Sequence, residues 1–213
     1  LLQIIQNTYG AGGGGGGVGT GPTGPTGSGS GISKVGTNYS DYLYWNTGTN
    51  SWEVGTSNVH LGSRAGEFYQ GSGAVALGYQ TGFYGQGNNR VAIGYQAGFE
   101  NNGTGSVAIG YQAGYQSNGT GSIAIGYQAG YTGQSSYSIA MGYQAGHTGQ
   151  SEKSVAIGYK SGFFEQGFGS VAMGYQAGHT GQFFGSVAIG YEAGYIEQGP
   201  YNVAIGYQAG YTG

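Results

Sequence analysis

From Val59 onward the chain repeats one pattern of branched aliphatic, small and aromatic positions every 16 residues. Val75-Ala-Leu-Gly-Tyr-Gln-Thr-Gly82 starts again at Val91, Val107, Ile123, Ile139, Val155, Val171, Val187 and Val203, and Val59-His-Leu-Gly-Ser-Arg-Ala-Gly66 is a weaker copy on the same spacing. A strict period of this length marks a solenoid in which each copy is one coil. Counting from the start of each copy, position 1 is Val or Ile, position 2 nearly always Ala, position 3 Ile, Leu or Met, and position 4 Gly. Alternation over a β-branched run predicts a strand at positions 1–3, with the Gly as its corner. A second short strand is expected near positions 5–7, followed by a looser return that carries the variable residues. A helix is excluded, because Gly at positions 4 and 8 would each cost it about 1 kcal/mol. The predicted fold is all-β: a parallel β-roll or β-solenoid of ten 16-residue coils, about 48 Å long at the usual strand spacing.

Stacking the coils turns the repeat into ladders. Position 5 supplies Tyr95, Tyr111, Tyr127, Tyr143, Tyr159, Tyr175 and Tyr191. Position 12 is an amide in all nine coils that reach it, among them Gln134, Gln150, Gln166 and Gln182. Position 9 is aromatic or His from Phe83 to Tyr211, including His147 and His179. Columns of this kind stabilise cross-stacked strands.

Placing Val at position 1 and Ile at position 3 inside the coil makes the Ala between them point outward. Ala is a poor strand former, and a solvated face favours Thr, Lys or Gln there. On that reading Ala92, Ala108, Ala124, Ala140, Ala156, Ala172 and Ala188 form an apolar surface stripe that a neighbouring chain covers. The expected assembly is a side-by-side oligomer with this stripe as its interface.

Ser106-Val-Ala-Ile-Gly110 and Ser186-Val-Ala-Ile-Gly190 resemble the head repeats of trimeric autotransporter adhesins of the YadA-like kind. The resemblance runs from Val59 to Gly213. It implies a left-handed parallel β-roll, a homotrimer around a common axis and a cell-surface location. The 16-residue spacing is slightly longer than that family's usual repeat, and the following Tyr-Gln-Ala-Gly is distinctive. Preceded by Gly-Pro-Thr triplets, the repeats are also similar to collagen-like fibre proteins of giant viruses and some bacteria, which implies a virion-surface location instead.

Four segments follow from these patterns. Residues 1–10 are an apolar connector with Leu1, Leu2, Ile4 and Ile5. Residues 11–31 are a Gly-rich tether containing the collagen-like Gly21-Pro-Thr-Gly-Pro-Thr-Gly27. In residues 32–58, Tyr42-Leu-Tyr-Trp45 and Ser51-Trp-Glu-Val54 flank a five-residue turn and predict a Trp-containing hairpin that caps the first coil. Residues 59–213 are the solenoid. An apolar segment on a glycine tether is suited to dock on the open end of the next subunit, so head-to-tail filaments are expected, with the connector as the joint.

Composition narrows the class further. Gly makes 52 of 213 residues and charged residues only 6%, against about a quarter in ordinary globular domains. A net charge of −3 gives no basic stripe for nucleic acid, and no segment of the chain is long and apolar enough to span a membrane. Glu165 and Glu197 share position 11 two coils apart, on a convex surface without a cleft, and read as solvated charges rather than a catalytic pair. His147 and His179 are likewise two coils apart, too far to share one metal. No catalytic, cofactor or metal site is expected. Asn38, Asn102 and Asn118 fit the N-glycosylation pattern, so glycans are possible partners. The main expectation is a structural, non-enzymatic filament subunit outside the cell or on a virion. The alternative is an adhesin head whose Tyr-rich loops contact a host protein or glycan.

Overall fold

The computed structural model describes residues 34, 36–55 and 57–212. The connector with Leu1, Leu2, Ile4 and Ile5, the glycine tether and the Gly-Pro-Thr triplets lie outside the described residues. What is described falls into two units, a short hairpin and the repeat region.

In the hairpin, β1 (Leu43–Asn46) pairs antiparallel with β2 (Ser51–Val54), and Trp45 sits opposite Trp52. The two indoles meet edge to face at 5.6 Å, a geometry that aromatic quadrupoles favour. The Asn46 side-chain oxygen accepts the Gly48 N–H at 2.8 Å and closes the turn. Glu53 accepts hydrogen bonds from the Thr49 hydroxyl at 2.6 Å and the Tyr44 hydroxyl at 2.9 Å. Together with Asn46, these donors hold its carboxyl at about 2.

The repeat region is a β-solenoid. Position 1–3 segments from ten coils make one parallel sheet: Val59–Leu61, Val75–Leu77, Val91–Ile93, Val107–Ile109, Ile123–Ile125, Ile139–Met141, Val155–Ile157, Val171–Met173, Val187–Ile189 and Val203–Ile205. Each residue pairs with the one 16 places on, as Ala124 does with Ala140 and Ala108. The second strand lies at positions 10–12 rather than 5–7. It forms the short parallel sheets Phe68–Gln70 with Tyr84–Gln86, and Thr148–Gln150 with Phe164–Gln166 and Thr180–Gln182, continued elsewhere by single bridges. Positions 5–7 form the turn, with the position 6 residue in a left-handed backbone, φ 49° at Gln128 for example. The turns are stacked as tightly as the strands. The Gln128 N–H donates to the Tyr111 carbonyl at 2.9 Å and the Gly130 N–H to the Ala145 carbonyl at 2.9 Å, so backbone groups bond alternately to the coil before and the coil after.

The inside and the outside are the reverse of the sequence expectation. Ala92, Ala108, Ala124, Ala140, Ala156, Ala172 and Ala188 are 0% exposed within their own chain, as are Ala113 and Ala129 at position 7. They have no surface left to offer a neighbour, so they are not an intersubunit interface. Val and Ile at position 1 and the aliphatic residue at position 3 face outward and are half-buried or exposed. The reason is width: a 16-residue coil encloses room for methyl groups, hydroxyls and one amide, and no room for branched aliphatic side chains. The amide comes from position 12. Gln134 donates to the Ile123 carbonyl at 2.8 Å and the Ser138 carbonyl at 3.3 Å, and Gln150, Gln166 and Gln182 repeat this in their own coils. Each amide thus crosses the interior and joins the second strand to the first. Ser138 at position 16 donates to the Ser135 carbonyl at 2.6 Å, while the Oε1 atoms of Gln134, Gln150 and Gln166 stay buried without a partner.

Candidate interaction surface

The outer face begins at position 3, where Leu77, Met141 and Met173 are about two-fifths exposed in line with the Ile residues of the other coils. Next to it runs a floor of position 4 glycines. Gly126, with φ 128°, would bring a Cβ against the Gly142 carbonyl of the next coil, so only glycine lets the coils approach. The tyrosines of position 5 form the far wall. Tyr79, Tyr95, Tyr111, Tyr127, Tyr143, Tyr159, Tyr175, Tyr191 and Tyr207 stack with ring centroids 4.8–5.4 Å apart and planes within 17°. The rod therefore carries an aliphatic column and an aromatic column side by side, with the position 4 glycines between them.

Beyond the tyrosines, position 6 makes an outward amide ladder. Gln96, Gln112, Gln128 and Gln144 each donate to the amide oxygen one coil earlier at 2.9–3.0 Å, starting from Gln80. The ladder stops at Lys160, which replaces the amide. Position 9 carries a second stacked column from Phe83 to Tyr211, with centroid spacings of 4.8–5.2 Å. His147 and His179 are members of it, on either side of Phe163. Each shares a 2.9 Å hydrogen bond between Nδ1 and the next residue's hydroxyl, Thr148 and Thr180. Burial, and after it the Lys160 charge, pushes both imidazoles below their usual 6.5.

On the return side the repeat loosens. Phe168 and Phe184 stack at 5.4 Å, and with Phe183 and Glu165 they border a shallow groove of about 450 Å³ floored by Gly149, Gly167 and Gly181. Glu165 stands in this groove; Glu197 does not border it. Among the described residues no three metal-ligating side chains converge. No helix in them is long and apolar enough to cross a membrane. Two of the three glycosylation candidates are inaccessible: Asn102 is 4% and Asn118 1% exposed, each occupying the interior amide position. Asn38 is exposed.

Sequence reasoning missed Arg90. It stands where most coils carry Ser, is 0% exposed, and has a guanidinium with Nε and Nη2 unpaired and Nη1 only 3.5 Å from the Gly98 carbonyl. In most other coils the space beside the position 8 glycine is filled by the Gln head group, and beside Gly114 by that of Asn118. Here position 12 is the shorter Asn102, and Arg90 occupies the vacated space. Burial lowers its pKa to about 9, leaving it charged at neutral pH. The signal in the sequence was the charge itself, at a position that is Ser in six consecutive coils from Ser106 to Ser186.

No curated protein and no solved structure matches the chain. The family model described as the YadA head domain repeat matches residues 102–129, in two copies. These residues include the rungs Val107–Ile109 and Ile123–Ile125 and the turns that follow them. In that segment the chain is similar to YadA head repeats, and the same phrase and the same coil continue on both sides of it.

Proposed function

We propose that this chain is a head module of an adhesin-type surface protein: a stiff, non-enzymatic rod that presents its outer columns and return loops to a host protein or glycan. The observation that carries this reading is the YadA head repeat at residues 102–129, set within a rod whose other coils repeat the same geometry. A cell-surface location follows from the same likeness. A filament joined through the N-terminal connector has no comparable support, since the match favours a head module and the connector lies outside the described residues.

In this reading the rod works as a left-handed homotrimer, with chains meeting along the outward columns of positions 1 and 3. An isolated chain leaves that aliphatic surface in contact with water over ten coils, far beyond the scattered exposure normal for a monomer. Light scattering of the purified full chain is expected to give three times 21.6 kDa. Beads coated with the full chain are expected to stick to cultured cells or matrix proteins and to lose this on heat denaturation. Beads that stick to nothing, together with continuous filaments of the same material in electron micrographs, would overturn the adhesin reading in favour of a filament subunit.

A further inference from the structure

Two aromatic columns run along the rod, and they differ in one respect. Position 9 stacks phenylalanine, tyrosine and histidine in mixed order at 4.8–5.2 Å, so stacking alone asks only for a flat ring. Position 5 is tyrosine in nine consecutive coils, from Tyr79 to Tyr207. Exposure does not impose the hydroxyl. From Tyr79 to Tyr191 the position 5 rings are about two-fifths exposed, and Phe164, Phe168 and Phe184 are as exposed without one. What the column keeps constant is the phenol.

The coil geometry holds these phenols in register. Tyr111, Tyr127 and Tyr143 follow one another at 5.0 Å with planes within 7°. Their backbones are fixed one coil apart by the turn bonds from Gln128 to the Tyr111 carbonyl and from Gln144 to the Tyr127 carbonyl. Exposed side chains turn within picoseconds to nanoseconds. Turning two neighbouring rings edge to edge about Cβ–Cγ brings the carbons ortho to their hydroxyls against each other. The chain has no cysteine, whose thiol would reduce a tyrosyl radical first.

We propose that the position 5 column is a modification site, where tyrosines of consecutive coils couple into dityrosine and staple the rod along its length. The oxidant is a haem peroxidase with hydrogen peroxide. Each of two neighbouring phenols gives one electron to the oxidant and its hydroxyl proton to water. The two radicals join through their ortho carbons, forming one C–C bond. The hydrogen on each joined carbon then moves to the oxygen and restores the phenol. One hydrogen peroxide takes up the two electrons and two protons and leaves as two waters. A bond between Tyr127 and Tyr143 closes a loop of one coil and restricts the unfolded chain as a disulfide does, in a protein that has none. This modification does not depend on what the rod binds.

The test treats the dilute full chain with peroxidase and hydrogen peroxide, and reads dityrosine fluorescence and the intact mass of the single-chain band. A loss of two hydrogens per bond is expected within single chains, with a yield per chain unchanged on tenfold dilution. Peptide mapping is expected to place the bonds between tyrosines 16 residues apart, such as Tyr127 and Tyr143. One variant, Tyr95→Phe, Tyr127→Phe, Tyr159→Phe and Tyr191→Phe, sets a phenylalanine between every two position 5 tyrosines and keeps the stack. Its dityrosine is expected to fall at least threefold, the remainder coming from the position 9 pairs Tyr115 with Tyr131 and Tyr195 with Tyr211. A control variant, Tyr39→Phe, Tyr69→Phe, Tyr137→Phe and Tyr201→Phe, removes four tyrosines that are more exposed and is expected to keep its yield. An alternating variant that keeps its yield, a control that loses as much, or bonds formed only between chains would overturn the site. Treated parent is expected to melt higher than untreated, with no such rise in the alternating variant. No rise in the coupled parent would refute the staple.

Discussion

Exchanging the sizes of two adjacent residues tests the inverted orientation of the rungs. Ala124 faces the interior, and a Cβ placed on Gly130 would already lie 3.3 Å from the Ala124 Cβ. Ala124→Ile adds three carbons where the Gln134 amide crosses the same space to reach Ile123. Overpacking of a filled core costs about 1–3 kcal/mol, and a coil held on both sides by backbone bonds has little room to relax. Ile125→Ala removes an outward, half-buried side chain. A fully buried isoleucine trimmed to alanine costs about 2–5 kcal/mol, most of which is cavity and lost burial that Ile125 does not have in one chain, so about 1 kcal/mol is expected for a monomer. In a trimer packed along position 3 the same substitution costs more, and the penalty shrinks on dilution as the chains separate. Urea unfolding of both variants at two protein concentrations tenfold apart separates these cases. A harmless Ala124→Ile beside a severe, concentration-independent Ile125→Ala would refute the orientation. Ala124→Lys with Ala140→Lys extends the test, and is expected to unfold the coils rather than merely separate intact chains, because two ammonium groups would enter the interior.

Further outcomes follow from individual positions. Gly126→Ala is expected to cost at least about 2 kcal/mol in thermal or urea unfolding, since the left-handed backbone and the Gly142 carbonyl both oppose a Cβ. Arg90→Ser combined with Asn102→Gln restores the interior of the neighbouring coils and is expected to stabilise the protein by more than about 1 kcal/mol, having removed an unpaired buried charge. Stability is expected to decline as pH falls from 6.5: the folded pKa values of His147 and His179 are depressed, so the unfolded chain takes up protons first, and the contribution complete above 6.5 is lost as pH drops through the folded values. The double variant His147→Phe, His179→Phe is expected to flatten that slope in melts between pH 7 and 5.

The period, the rung strands and the tyrosine and amide columns were legible in the sequence because each depends only on counting. The direction of each side chain was not. Taking Val107 and Ile109 as core and Ala108 as surface follows the ordinary preference for large apolar interiors, and that preference fails when the interior is narrower than an isoleucine. The misplaced second strand has a related cause. Tyr111-Gln112-Ala113 reads as alternating, but the alternation is a turn with Gln112 at φ 50°, a backbone state that composition does not announce. The position 9 column was legible only in part: His147 and His179 were visible as members, while the Lys160 charge beside both required the coil geometry.

The interior of methyls, hydroxyls and crossing amides also sets how this rod responds to temperature. The heat capacity change of unfolding rises with apolar surface exposed and falls with polar surface exposed, and typical domains reach about 12–15 cal/mol/K per residue. Here the alanine methyls are small, and Gln134, Gln150, Gln166 and Gln182 bury polar surface beside them. A lower value per residue is the consequence, and with it a flatter stability curve. Such a rod keeps nearly the same stability in the cold as in the warmth.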